Sequence, residues 1–255
     1  LNMGGIHPLS NSHDTLGTIA GSLADAWLVA RHIASVVGGT PPHPGLDGPV
    51  DLPAARAPSR LIRLETDGWK ETDTATRAAF EAALGKLAAA GAEILDRRNT
   101  SEVARLETML QGVAEIARVI STFERRWPFF DYAKRHPEKL SKSATERVEA
   151  SRRIGVAEFR RMLEKQEAIR RQVAGMAALA DGFVSLTASG PAPVGLDHTG
   201  SRSFQIFWTL TAAPCFTLPR LAVSGLPVGL QVLGYRDRDA DLAGLARWVD
   251  QVTSH

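Results

Sequence analysis

Seven histidines, at positions 7, 13, 32, 43, 136, 198 and 255, and one cysteine, Cys215, are the side chains here best suited to acid–base, nucleophilic or metal chemistry. No two histidines stand four apart, the spacing that puts two imidazoles on one helix face, so a zinc site is unsupported. No Gly-x-Ser-x-Gly run exists to hold a serine on the strained turn of a hydrolase elbow. Ser10, Ser12, His13 and Asp14 carry the letters of a triad, but neighbours in sequence rarely converge on one point, and a polar turn accounts for them. Cys215 sits in an apolar stretch between Pro214 and Pro219, where a thiol without a nearby cation is inert, and is assigned to the core. Gly225, Gly229 and Gly234 are four and five apart in strand-like surroundings, which suits close backbone approach within a sheet and not a phosphate loop. The residues themselves therefore predict no catalytic group, no metal and no cofactor.

The 255 residues are 44% hydrophobic and 23% charged, enough for a soluble globular chain with an ample core. Thirty basic against 28 acidic residues leave a net charge of +2, which argues against nucleic acid or an anionic membrane as the main partner. One cysteine excludes an internal disulfide and fits a reducing cytoplasm, the expected location. No stretch of about 18 apolar residues and no signal peptide is evident. The first residue is Leu, which leads us to expect a processed, truncated or incomplete amino terminus.

Ser22 and Asp25 form a capping pair ahead of Ala26, Val29, Ala30, Ile33 and Val37, a helix that ends at Gly38-Gly39. The Pro- and Gly-rich stretch 38–58 is expected to cross the surface as a loop. Residues 60–64 read as a strand, Asp73 caps a helix carrying Phe80, Ala83, Leu84 and Leu87, and residues 92–96 read as a second strand. A strand, helix and strand in this order return the second strand parallel to the first. Beyond residue 180 the pattern predicts strands at 183–186, 215–218 and 227–233, a helix over 201–212 and a last helix from Asp239.

Between 101 and 180 the spacing is helical throughout. Leu106, Leu110, Val113, Ala117 and Ile120 make one stripe ending before Pro128, and a second helix starts at Ser143 with Glu146 as a capping box. The segment reads as a helical hairpin inserted into one sheet built from both ends of the chain. Its connection, Trp127 to Tyr132, is aromatic for a loop, and either covers the core or lines a substrate entrance. The arginines and lysines between Lys134 and Arg171 interleave with glutamates, as in Glu149 with Arg153 and Glu167 with Arg171. A solvated helix face accounts for them, the alternative being a tRNA contact.

The run Asp181 to Gly195, the pair Thr199-Gly200, the stretch Trp208 to Pro219 and Gly225-Leu-Pro-Val-Gly-Leu-Gln231-Val-Leu-Gly234 together resemble the closing segment of the amidase signature hydrolases. Gly5 to Ala26 resembles the stretch after that family's nucleophile loop. The resemblance implies an α/β fold, a mixed β-sheet flanked by helices, with residues 1–255 as a single domain belonging to a larger amidase signature domain. It also implies hydrolysis of a carboxamide C–N bond, in which a lysine accepts a proton through a serine in a cis peptide from a nucleophilic serine. Those three residues lie upstream in the family, so none is expected here, and this chain would supply the far wall of the pocket. Aligning Thr199-Gly200 and Pro214 puts the positions facing the acyl group on Arg202 and Ile206. Ile206 suits an apolar wall. Arg202 replaces an aliphatic residue and either pairs with a carboxylate or polar group of the substrate or is a surface arginine. Trp208, Trp127, Phe129 and Phe130 are further candidates for the pocket, while Asp14 and Gln231 are assigned to holding turns and strands. The implied partners are a small-molecule amide and the missing N-terminal portion, with a homodimer left open and neither membrane nor nucleic acid expected. The alternatives are an inactive truncated or binding module and the amidase subunit of a tRNA-dependent amidotransferase.

Overall fold

The structure is a computed structural model that describes residues 1–40 and 43–254; Pro41 and Pro42 of the expected loop and His255 lie outside them. Five strands, β1 (Arg60–Arg63), β2 (Glu93–Leu95), β3 (Gly182–Leu186), β4 (Cys215–Val223) and β5 (Leu226–Leu233), form one sheet in the order β2-β1-β3-β5-β4. β1 runs parallel to both β2 and β3, whereas β5 is antiparallel to β3 and β4, so the sheet is mixed. The helix α2 (Thr74–Ala89) connects β1 to β2, as the strand, helix and strand pattern predicts. Asp73 caps α2 by accepting from the Thr76 N–H at 2.7 Å. β4 extends five residues past the expected strand and turns into β5 through Ser224 and Gly225, both with positive φ. Cys215, assigned to the core from sequence, stands exposed at the start of this edge strand.

Alternation along the strands gives the sheet two buried faces. Leu61, Val184, Leu186, Leu230 and Val232 pack under α2 and α9 (Asp239–Thr253), against Phe80, Leu84, Leu245 and Val249. Ile62, Leu64, Phe183 and Leu233 face the helices drawn from the middle of the chain, against Leu106, Ile120, Ile169 and Phe207. Both faces are covered where β1 and β3 lie, which is why the neighbouring pairs Leu61 and Ile62, and Phe183 and Val184, are all fully buried.

The middle segment is more divided than its stripes suggest. It holds α3 (Ser101–Met109), α4 (Val113–Glu124), α5 (Arg126–Arg135), α6 (Lys142–Arg153) and α7 (Val156–Gly175). Gly112, left-handed at φ 70°, breaks the first stripe, and extended backbone at Ile154 and Gly155 breaks the second. Ser141, not Ser143, caps α6 by accepting from the Ala144 N–H at 3.2 Å. The aromatic connection is itself helical: it forms α5, with Trp127 extended at its start and a cis Trp127–Pro128 peptide. Among the glutamates of this face, Glu167 pairs with Arg171 as spaced, while Glu149 takes Arg152 rather than Arg153.

α1 (Leu23–Val37) starts where Ser22 accepts from the Asp25 N–H and ends at Gly38, with φ 68°. It buries Trp27 and Ala34, not Val29 and Val37, and leaves Leu28, Val29, Val36 and Val37 exposed. The bulk of one tryptophan outweighs the spacing of smaller residues in choosing the buried face.

Candidate functional site

α4 packs against α5, α6 and α8 (Ser203–Thr211) on the side of the sheet covered by the middle helices, and its last residue, Glu124, meets the N-terminal segment. Ser10, Ser12, His13 and Asp14 are a turn, not a triad. The Ser10 and Ser12 hydroxyls both donate to Glu124 Oε2, at 2.6 and 2.9 Å, and the Ser12 N–H adds a third bond at 3.1 Å. Asp14 accepts from the Leu9 and Ser10 N–H groups at 2.7 and 2.9 Å. His13, buried, has its Nε2 3.3 Å from the amide nitrogen of Gln166, which also donates to the Leu210 carbonyl at 2.9 Å. Burial holds the His13 imidazole below its usual range, with Arg170 pressing the same way and Glu124 and Asp14 opposing. No hydroxyl is aimed at an imidazole here, so the turn offers no activated nucleophile.

Arg202 occupies the N-cap position of α8 and is exposed. The position is chemically odd, because an N-cap is usually an acceptor side chain and this one places a cation at the positive end of the helix dipole. Ser201 and Ser203 lie beside it with their hydroxyls 2.9 Å apart, and Ser203 donates to Glu71 at 3.2 Å. Burial of Arg125, at the junction of α4 and α5, keeps its pKa below the usual arginine range, and the positive charges of Arg147 on α6 and of Arg202 press the same way. Asp14 opposes them. The Arg125 Nε is buried without a hydrogen-bond partner among the described residues. No local pattern in the sequence singles out Arg125 or Glu124, whose roles depend on which distant segments reach them.

The other expected pocket residues divide. Ile206, one turn along α8 from Arg202, is half-buried against the core. Trp208 is 4% exposed, edge-on to Phe207, with its indole N–H unpaired among the described residues. Its ring belongs to the core beneath α8. Trp127 is 66% exposed, two residues beyond Arg125. Phe129 and Phe130 point apart: Phe129 lies edge-on to His7, which bonds the Tyr132 hydroxyl at 3.0 Å, while Phe130 lies under the Arg152 guanidinium of α6.

A cleft of about 290 Å³ opens elsewhere, where β1 and β3 begin, between Arg56, Ser59, Asp181, Tyr235 and Asp241. Several of its polar groups pair with one another or with the backbone. Asp181 accepts from the Ser59 and Arg60 N–H groups and lies near Arg56, and the Tyr235 hydroxyl donates to the Ala180 carbonyl. The start of α8 lies at the other end of β3, where Gln205 donates to the Thr187 carbonyl, so none of the expected site residues reaches this cleft. Gln231 is buried in β5 with Ser185 and Thr217 as its two cross-strand neighbours, and its Oε1 has no hydrogen-bond partner among the described residues.

No protein-family model and no curated protein matches the sequence. Solved structures do match. A structure described as an amidase is 24% identical with a TM-score of 0.75, over 96% of this chain and 54% of that one. A structure described as a vestigial protein complex that reveals the origins of an s-triazine catabolic enzyme is 20% identical with a TM-score of 0.73, over 100% of this chain and 56% of that one. A bacterial aryl acylamidase of the amidase signature family is 12% identical with a TM-score of 0.52, over 82% of this chain and 47% of that one. This chain has the fold of the amidase signature enzymes and spans about half the length of the solved proteins it matches.

Proposed function

We propose that the protein hydrolyses the C–N bond of a small carboxamide, and that this chain forms a wall of the substrate pocket while the nucleophilic serine, the cis serine and the lysine come from residues outside this sequence. The observation that carries the reading is the likeness to an amidase over 96% of the chain at a TM-score of 0.75. Two features support it. The chain holds no nucleophile elbow, and the Ser10, Ser12, His13 and Asp14 cluster is a locked turn, so in this reading the hydrolytic groups come from elsewhere. The exposed Leu28, Val29, Val36 and Val37 of α1 form an apolar face of the kind that another part of a protein covers. In this arrangement Arg202 and Ile206 face the acyl group, with Trp127 and Phe129 at the entrance. The serine attacks the amide carbonyl, the lysine takes its proton through the second serine, and water releases the acyl group. No cofactor takes part. The reducing cytoplasm suits a protein with one exposed thiol.

The test is to treat the protein from its natural source with a fluorophosphonate and measure intact masses under denaturing conditions. One adduct on a species longer than the 27.5 kDa of this chain, or on a companion that copurifies with it, is the expected result. A lone, unlabelled 27.5 kDa species would overturn the reading and leave a binding module.

A further inference from the structure

We propose that Thr187, Thr217 and Cys215, with Gln231 beside them, form the floor of the substrate pocket, and that the part of the substrate resting there is uncharged and carries an N–H donor. The inference rests on the amide-hydrolase reading and names its substrate class. Direct contacts bring these residues together. Gln205, next to Ile206 on α8, donates from its side chain to the Thr187 carbonyl at 3.3 Å, and the Thr187 N–H donates to the Gly229 carbonyl of β5 at 3.0 Å. The Thr187 and Thr217 hydroxyls then meet at 3.4 Å across Gly229. A side chain at that position would part them, since a methyl group at 229 would lie 2.5 Å from the Thr187 hydroxyl oxygen and 2.7 Å from the Thr217 methyl. Gln231 pairs with Thr217 in register and Cys215 stands two residues before Thr217, so all three side chains lie on the same face of the sheet.

Three observations point to a ligand. Thr187 follows the last residue of β3, which runs parallel to β1, and open α/β sheets bind ligands outside the carboxyl ends of such strands. Phe183 and Leu233 on this face are covered by the middle helices, yet Cys215 and Thr217 are exposed and Thr187 is half-buried, so the floor is open beside α8. Gln231 is 3% exposed, and its Oε1 has no donor among the described residues. A buried acceptor without a donor is costly, and two hydroxyls 3.4 Å apart make a weak bond, so a ligand N–H improves on what the chain supplies. None of these side chains carries a charge. Desolvation raises the Cys215 pKa, with the Gln231 side chain acting the other way, so the thiol is protonated at neutral pH. An ionised ligand group set on this floor would lose water and gain no counter-charge from it.

The test is alkylation of Cys215 by iodoacetamide in the complete protein at mildly alkaline pH, with peptide mapping to locate the adduct, in the presence of succinamide, butyramide or succinamate. Succinamide, an uncharged diamide, should slow alkylation at a concentration at least about tenfold lower than succinamate, its ionised counterpart. It should also act at a lower concentration than butyramide, which lacks the second amide. Thr217→Val, at an exposed position, should remove most of the advantage over butyramide, and Thr217→Ser should keep it. Circular dichroism checks that the variants fold. No slowing by any of the three, or succinamate as effective as succinamide, overturns the proposal. A Cys215 that is unreactive in the native protein and alkylated only after unfolding also overturns it, because the floor is then covered by protein. The two readings fail separately. Fluorophosphonate labelling without protection of Cys215 removes only the pocket floor, and protection by succinamide without labelling removes only the hydrolase.

Discussion

Ser10 and Glu124, 114 positions apart, meet at 2.6 Å, and this bond with its two companions from Ser12 fixes the N-terminal segment to the end of α4. That segment has almost no regular structure of its own before α1, so its path depends on side-chain anchors of this kind.

Glu124→Ala removes the acceptor for three donors. The site is part-buried and water can reach some of them, so the expected loss of stability is about 1–3 kcal/mol. Cleavage by a dilute protease should rise within residues 1–20 before it rises elsewhere. Glu124→Gln keeps one acceptor oxygen and should fall between the two. Unchanged protection of the segment in Glu124→Ala would show that Asp14 alone holds the turn.

His13 makes stability depend on pH. Its pKa in the folded protein lies below the ordinary 6.5, chiefly because of burial, so the unfolded chain binds more protons between the two values. The contribution of neutral His13 is complete above 6.5 and is lost as pH falls through the folded value. His13→Gln does not titrate. The gap in melting temperature between the natural protein and this variant should hold constant from about pH 8 to 6.5 and narrow as pH falls further, and a gap constant down to about pH 5 would rule out the imidazole as the source. In a Glu124→Gln background the narrowing should start at higher stability cost per pH step, since Glu124 is the charge that most favours the protonated ring.

Gly68 tests how firmly α8 is seated. A methyl group there would lie 2.6 Å from two ring carbons of Phe204, whose side chain is fully buried against Trp69 and cannot swing aside. Gly68→Ala should cost about 1–3 kcal/mol in chemical denaturation. Phe204→Leu in the same chain should recover part of that loss, because the two changes touch the same contact. If the double variant loses the full sum of the single effects, the ring is not what Gly68 accommodates.

How much of this was visible beforehand follows from the range of each interaction. The β1-α2-β2 unit is legible because the Asp73 cap, the 3.6-residue stripe of Phe80, Leu84 and Leu87 and the apolar Leu61, Ile62 and Leu64 are all local. The division of 101–180 into five helices is less so, since Gly112 and Gly155 are permissive residues that break a helix only when the neighbouring packing asks for it. Arg202 stands out through a family resemblance alone. Arg125 does not stand out at all, because the charges that act on it, from Arg147 and Arg202, come from α6 and α8, which both return to α4. The apolar neighbours of Cys215 predict a core position, yet an edge strand exposes residues that a central strand would bury.

Glu107 offers the reverse sign to His13. The side chain is buried on α3; its Oε1 accepts from the Glu65 N–H at 2.9 Å, its Oε2 has no hydrogen bond among the described residues, and Arg97 approaches only to 3.6 Å. Burial raises its pKa and the nearby Glu65 charge adds to the rise, while the Glu65 N–H, Arg97 and Arg63 pull the other way. A carboxyl raised in the folded state contributes stability that is complete below the ordinary 4.5 and is lost as pH rises through the folded value. At neutral pH the ionised group is therefore a net cost. Glu107→Gln keeps the acceptor for Glu65 and removes the charge, so it should be more stable than the natural protein at pH 7.5 by up to about 1 kcal/mol. That advantage should shrink as pH falls toward 4.5, measured by urea denaturation at each pH. A variant less stable at every pH would mean that the attraction of Arg97 outweighs the cost of burying the charge.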